Sequence, residues 1–178
     1  MLKTQPMTVE EFITLALSDE YADRTLEFIN GEIIGVSPGR TRYSEVGQLL
    51  TAEVYIFCRK HDIICHTSGS EGTYNINGNV VAPDFAYKQT PMSEEYPDPE
   101  PPLWVVEIIS PTDKAADIRD KREIYRRAGI LLWEIYLRTK SVDVYAPGQA
   151  LKTYSMGEIL NSGDVLPGFE LAVADLFG

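Results

Sequence analysis

Cysteine is scarce, basic charge is outnumbered and no long apolar run is present. Two cysteines in 178 residues cannot make the disulfide framework of a small secreted domain, which agrees with a reducing compartment. No apolar stretch approaches the roughly 20 residues that cross a bilayer, and the start of the chain lacks a charged segment followed by an apolar signal core. A cytoplasmic protein without membrane association is therefore expected. Lys and Arg number 16 against 27 Asp and Glu, a formal net charge of −11. Such an anion repels nucleic acid and acidic membranes unless its basic groups gather on one face or metal ions neutralise the contact surface. The chain also has no phosphate-binding glycine loop, no Ser/His/Asp array and no internal repeat.

What is present is enough apolar material, 44% of the residues, for one domain spanning 1–178 with a sizeable core. Thr8 and Glu11 have the spacing of a capping box, and Met7 and Phe12 that of a hydrophobic staple, so a helix should run from Thr8 to about Leu17. "LEFINGEII" reads as two short strands around Asn30-Gly31, a pair that accepts the positive φ of a tight hairpin. Apolar residues at helical spacing predict a long helix over Thr41–Lys60. "DIICHT", "GTYNI" and "VVAPDFAY" read as strands, the last two joined at Asn77-Gly78, and the acidic, proline-rich segment 89–102 as an extended solvated loop. Then come the strand "LWVVEII", a helix from about Asp113 to Ala128, the strands "LLWEIYL" and "SVDVYA", a weaker strand near "LKTYSM" and a closing turn or helix at "VADLF". This order predicts an α/β or α+β fold, a central mixed β-sheet flanked by helices.

Three charges fall where core is expected. In "LWVVEII" both alternating faces are apolar, so Glu107 sits on a buried strand, where a lone carboxylate costs several kcal/mol, as an order of magnitude, unless protonated, paired or metal-bound. The same holds for Asp84 in "VVAPDFAY". On the following helix, Asp117, Ile118, Lys121, Ile124, Tyr125 and Ala128 share one arc, with Lys121 near its centre, while Arg119, Arg122, Glu123, Arg126 and Arg127 fall outside it. Taken alone, Lys121 could snorkel to the rim, and Asp84 could cap a helix or pair with an arginine. Taken together, Lys121 looks across at Glu107 and Asp84 as one constellation.

Pro83-Asp84 on one strand and Glu107 on another resemble the acidic half of the PD-(D/E)XK nuclease motif. The lysine slot two residues after the acid holds Ile109, and Lys121 stands where some branches of that superfamily carry a migrated lysine. "MTVEEF", "LEFINGEIIGVSPG", "VVAPDFAY", "WVVEIISPT", "DIRDKREIYRRAGI", "SVDVYA" and "LPGFELAVADLF" together resemble the Uma-type restriction-endonuclease family. The resemblance implies a restriction-endonuclease-like fold and a metal-dependent endonuclease acting on DNA. It further implies that Glu27, Asp84 and Glu107 are the acidic site residues, Lys121 the basic one, and the Ile108 carbonyl a metal-facing group. Two positions depart from the family pattern: Tyr43 stands where relatives carry histidine, and "LLWEIYL" replaces a Glu-Tyr-Trp followed by Val-Asp-Pro.

Clustered carboxylates and a carbonyl suit Mg²⁺, with Mn²⁺ as a substitute, and a neighbouring lysine can orient a nucleophile or stabilise developing charge. The other class of function open to this sequence is a weak or inactive member of the same fold that binds nucleic acid or protein. A homodimer would suit cleavage of a duplex. Of the remaining clusters, Cys58, His61, Cys65 and His66 do not make a zinc site, because Cys65 and His66 should point to opposite sides of one strand. Arg40, Arg42, Arg59 and Lys60 read as solvated surface that could touch phosphates, and Arg119, Arg122, Arg126 and Arg127 as a salt-bridged outer face balanced by Asp120 and Glu123.

Overall fold

A computed structural model of the chain describes residues 7–36 and 40–178; Ser37-Pro38-Gly39, the end of the "VSPG" motif, lies outside the described residues. The first helix, α1 (Val9–Ala16), begins as its sequence dictates. The Thr8 hydroxyl accepts from Glu11 N–H at 3.2 Å, and the Glu11 carboxylate accepts from Thr8 N–H at 2.8 Å, so two amides that the helix cannot bond are satisfied reciprocally. Met7 packs on the cluster that holds Phe12. The hairpin β1 (Leu26–Ile29) and β2 (Glu32–Gly35) follows, and its turn residues Asn30 and Gly31 take φ of 53° and 86°. Next come α2 (Thr41–Lys60), β3 (His66–Gly69), β4 (Tyr74–Ile76), β5 (Asn79–Val81) and β6 (Phe85–Lys88). The remaining elements are β7 (Trp104–Ile109), α3 (Ala115–Arg127), β8 (Leu131–Tyr136), β9 (Ser141–Tyr145), β10 (Lys152–Ser155), β11 (Ile159–Asn161), β12 (Glu170–Ala172) and α4 (Val173–Phe177).

The strands form a six-stranded sheet in the order β10-β9-β8-β7-β6-β3, a four-stranded sheet in the order β2-β1-β5-β4, and the small pair β11-β12. Within the larger sheet β7 and β8 run parallel, as the crossover through α3 requires, and the other pairings are antiparallel. The fold is thus α+β with a central mixed sheet flanked by helices. Val46, Leu50, Val54 and Cys58, one turn apart along α2, are buried with Trp104, Val106 and Trp133 on one face of that sheet. The Trp104 and Trp133 rings lie 4.5 Å apart at the centre of this layer. Ile124 and Tyr125 of α3 pack on the opposite face with Val105, Leu132 and residues of the smaller sheet. No helix among the described residues is long and apolar enough to cross a membrane.

Three sequence expectations need correction, and two strands were not expected. "VVAPDFAY" is two strands in two different sheets, because Pro83 has no amide to give to a ladder and the chain changes sheet there. Asp84 consequently lies in the joint and not on a strand. The strand expected at "DIICHT" starts only at His66: Ile63 N–H caps Cys58 C=O, and Asp62, at φ 56°, turns the chain out of α2. Segment 89–102 is not simply solvated. Asp98 is buried and accepts from the buried Lys88 ammonium at 2.9 Å and from the amides of Ser93 and Glu100. The unexpected strands are β11 and β12; with three residues each they bury Leu160 against Leu171 and leave Ile159 and Glu170 outside, too short a pattern to register as alternation.

Candidate active site

The antiparallel ladder between β6 and β7 stops at Phe85 opposite Val106, while β7 runs on through Glu107, Ile108 and Ile109. Extending that register by one residue sets Asp84 opposite Glu107, the distance at which cross-strand side chains meet. Asp84 uses its side chain where the backbone ladder ends: its Oδ2 accepts from Ile108 N–H at 2.7 Å. From the other sheet Glu27, in the middle of β1 and 5% exposed, reaches the same place, and its Oε1 accepts from Ala82 N–H at 2.8 Å. The break at Pro83 therefore creates the meeting point of the two sheets.

Lys121 closes the group from α3. Its Nζ stands 2.9 Å from Glu27 Oε1 and 2.8 Å from Glu107 Oε1, and its side chain is 14% exposed. Lys121 turns to these acids and not to the rim, and among the described residues Asp84 makes no helix-cap or arginine contact. One turn further along α3, Tyr125 donates its hydroxyl to the same Glu107 oxygen at 2.6 Å. Lys121 and Tyr125 share the arc because residues four apart stack on one face.

Three carboxylates thus face one ammonium. Burial pushes the Glu107 carboxyl up to about 8, with Asp84 and Glu27 adding to the shift and Lys121 opposing it. Burial also raises Asp84, against the Ile108 amide and Lys121. Burial works against the Lys121 ammonium, but Glu107 and Glu27 outweigh it and hold its pKa above the ordinary lysine value. Lys121 remains a cation while Glu107 gives up its proton only near neutral pH or above.

These residues line a cavity of about 350 Å³ that also reaches Tyr43, Arg40, Lys114, Arg122 and Glu134. Among the described residues no three His, Cys, Asp or Glu side chains are arranged to enclose a metal by themselves; the Lys121 ammonium bridges Glu27 and Glu107. Asp84 Oδ1 and Glu107 Oε2, however, make no hydrogen bond among the described residues, and neither is a fully buried orphan. Each carboxylate is held by one oxygen and keeps the other without a hydrogen bond among the described residues, and both side chains belong to residues that line the cavity. That donor set fits a hard cation that keeps most of its waters, as Mg²⁺ does when it binds through one or two carboxylates.

One part of the cavity departs from the sequence expectation. Arg122, expected on the outer face of α3, turns back to β8 and forks onto Glu134, Nε to Oε1 at 2.8 Å and Nη2 to Oε2 at 2.7 Å. The signal was available: Glu134 breaks the apolar run "LLWEIYL" just as Glu107 breaks "LWVVEII", and the two are register partners on parallel strands. Arg126 and Arg127 do pair with Glu123 on the outside. Arg42 bonds Glu45 and the Phe177 carbonyl, leaving Arg40, at the start of α2, as the cavity-lining member of that pair. Cys58 is buried, with its thiol pushed up to about 12 by burial and by its neighbour Cys65, and His61 packs on the Phe57 ring.

The sequence matches the Uma2 family, described as "Putative restriction endonuclease", over residues 9–174. No curated protein matches it. Matching solved structures include that of "a putative nuclease belonging to DUF820 from Anabaena variabilis", 19% identical, with a TM-score of 0.81 over 97% of this chain and 98% of that one. At that identity the likeness establishes the fold.

Proposed function

The chain belongs to the Uma2 restriction-endonuclease family, and from that membership we propose that it is a metal-dependent endonuclease hydrolysing phosphodiester bonds in DNA, with Mg²⁺ as cofactor and Mn²⁺ able to replace it. The observation that carries this reading is the end of β7, where two half-free carboxylates stand beside a lysine fixed by two acids. Asp84 and Glu107 would hold the metal, with the Ile108 carbonyl as a further oxygen and Glu27 as an outer or third ligand. Bound there, the metal supplies a water of lowered pKa and neutralises charge on the phosphate.

The residues of the chain do the rest. Glu27 and Glu107 take two of the three Lys121 N–H donors, and the third is left for an attacking water or a phosphoryl oxygen. Tyr125 holds one Glu107 oxygen and so leaves the second for the metal. Incubating the protein with supercoiled plasmid and with single-stranded DNA, in Mg²⁺, Mn²⁺ or chelator, tests the proposal. Cleavage should require the metal and fall about 100-fold or more in Asp84→Asn. Cleavage that continues in chelator would contradict it. The net charge of −11 favours a second reading, a member of the fold that binds without cutting; wild-type protein that shifts DNA in a gel yet leaves it intact in both metals would support that reading instead.

A further inference from the structure

The Arg122 fork is built more carefully than a neutralised surface charge needs. Glu134 is 1% exposed in the middle of β8, and its two oxygens are filled by Arg122 Nε and Nη2, the second oxygen also accepting the Tyr136 hydroxyl at 2.7 Å. The guanidinium carbon lies 4.8 Å from the centre of the Tyr145 ring on β9. Arg122 is therefore held along one edge by a carboxylate and across one face by an aromatic ring. A buried ion pair adds little stability over an apolar pair of the same volume, so rigidity of the arginine is what this arrangement supplies. The guanidinium has five N–H groups. Glu134 uses two, and the other three have no partner among the described residues. The Arg122 side chain remains 30% exposed and lines the same cavity as Lys121, its neighbour in sequence.

We infer that Arg122 is a phosphate-binding residue of this site, gripping the backbone phosphate next to the one that is cut with the guanidinium edge that Glu134 leaves open. The inference rests on the nuclease reading and extends it to how an anionic protein holds an anionic substrate. A planar guanidinium fixed in advance loses little side-chain freedom when two of its N–H groups meet two phosphate oxygens, which is why arginine suits this contact better than a mobile lysine. Lys121 is tied to two acids and serves the reacting phosphate; Arg122, tied to one acid, has donors to spare for its neighbour.

Arg122→Met combined with Glu134→Gln removes both charges and so leaves no buried charge unpaired. Binding of a short fluorescent duplex would be followed in Ca²⁺, which takes carboxylate oxygens, over a range of salt concentrations. The double variant should melt close to wild type, bind about tenfold more weakly, and lose about one unit of the slope of log affinity against log salt. Arg122→Lys, a second variant for the case in which the pair does not fold, should keep the slope and still lose affinity, because the charge stays and the fork goes. In Mg²⁺ both variants should raise KM more than they lower kcat. A folded double variant with wild-type affinity and slope would overturn the inference alone, as would Arg122→Lys binding like wild type. Wild type that takes up no DNA at all would overturn both the inference and the nuclease reading beneath it.

Discussion

Replacing Lys121 by Met removes one ammonium, keeps the aliphatic stem, and leaves Glu27 and Glu107 facing each other with side chains 7% and 13% exposed. Breaking a buried pair by deleting one partner costs about 3 to 5 kcal/mol, because the remaining charge stays desolvated. Here two acids lose the same partner, but Glu107 can escape by taking up a proton, since its carboxyl already titrates at about 8. Removing Lys121 also takes away the charge that opposes the upward shift of Glu107, so at pH 6 the cost is only that of the unpaired Glu27, and between pH 8 and pH 9 it should grow by about 1.4 kcal/mol. Urea denaturation at pH 6 and pH 9 measures it. A domain of this size shifts its melting temperature by roughly 2 to 4 °C per kcal/mol, so the loss relative to wild type should be larger at pH 9 than at pH 6 by roughly 3 to 6 °C. Adding Glu107→Gln should restore most of the loss at pH 9. A Lys121→Met protein as stable as wild type at both pH values would refute the bridge between the two acids.

Wild type without metal should itself lose stability as pH rises. A carboxyl whose folded pKa lies above its unfolded one stabilises the fold fully below about 4.5, and that contribution is gone once pH passes about 8; a stability profile flat over this window in chelator would disagree. Mg²⁺ or Mn²⁺ binds the ionised folded site, so it should raise the melting temperature most at the alkaline end, and equal shifts in wild type, Asp84→Asn and Glu107→Gln would show that the acids are not the metal site. Lys88→Met should cost about 3 kcal/mol or more and expose 89–102 to proteases, because Asp98 loses its buried counter-charge. Unchanged protease resistance would mean the segment is held by its backbone bonds to Thr73 and Asn75.

Where a signal was local, the sequence could be read closely. The capping box at Thr8 and Glu11, the two Asn-Gly turns and the full length of α2 all follow from a few adjacent residues. Glu107 and Lys121 were legible because charge interrupts an apolar pattern, and the pattern says which way each side chain points. Asp84 was singled out for a partly wrong reason: the segment assigned to one strand is two, with Asp84 in the joint between them, and its position comes from a change of sheet that no periodicity reveals. Glu27 came only through resemblance, since the four residues of β1 show no alternation, each being buried. Arg122 was misplaced because helical periodicity gives the direction of Cβ but not the reach of a long side chain, and Arg122 lies just beside the sheet-facing arc. The Lys88–Asp98 pair was hidden because composition reports the acidity of a loop and not which of its acids turns inward.

On the proposed function, the Glu107 carboxylate, on the part of β7 that runs past the end of β6, takes part in cutting DNA. Single-turnover cleavage of an end-labelled duplex in Mn²⁺ by wild type and Glu107→Gln tests it directly. The substitution keeps the shape of the side chain and an oxygen for the Tyr125 hydroxyl, and removes only the charge. Wild type should cleave in a metal-dependent way, and folded Glu107→Gln should cleave about 100-fold or more slowly. Equal rates in the two proteins would contradict it.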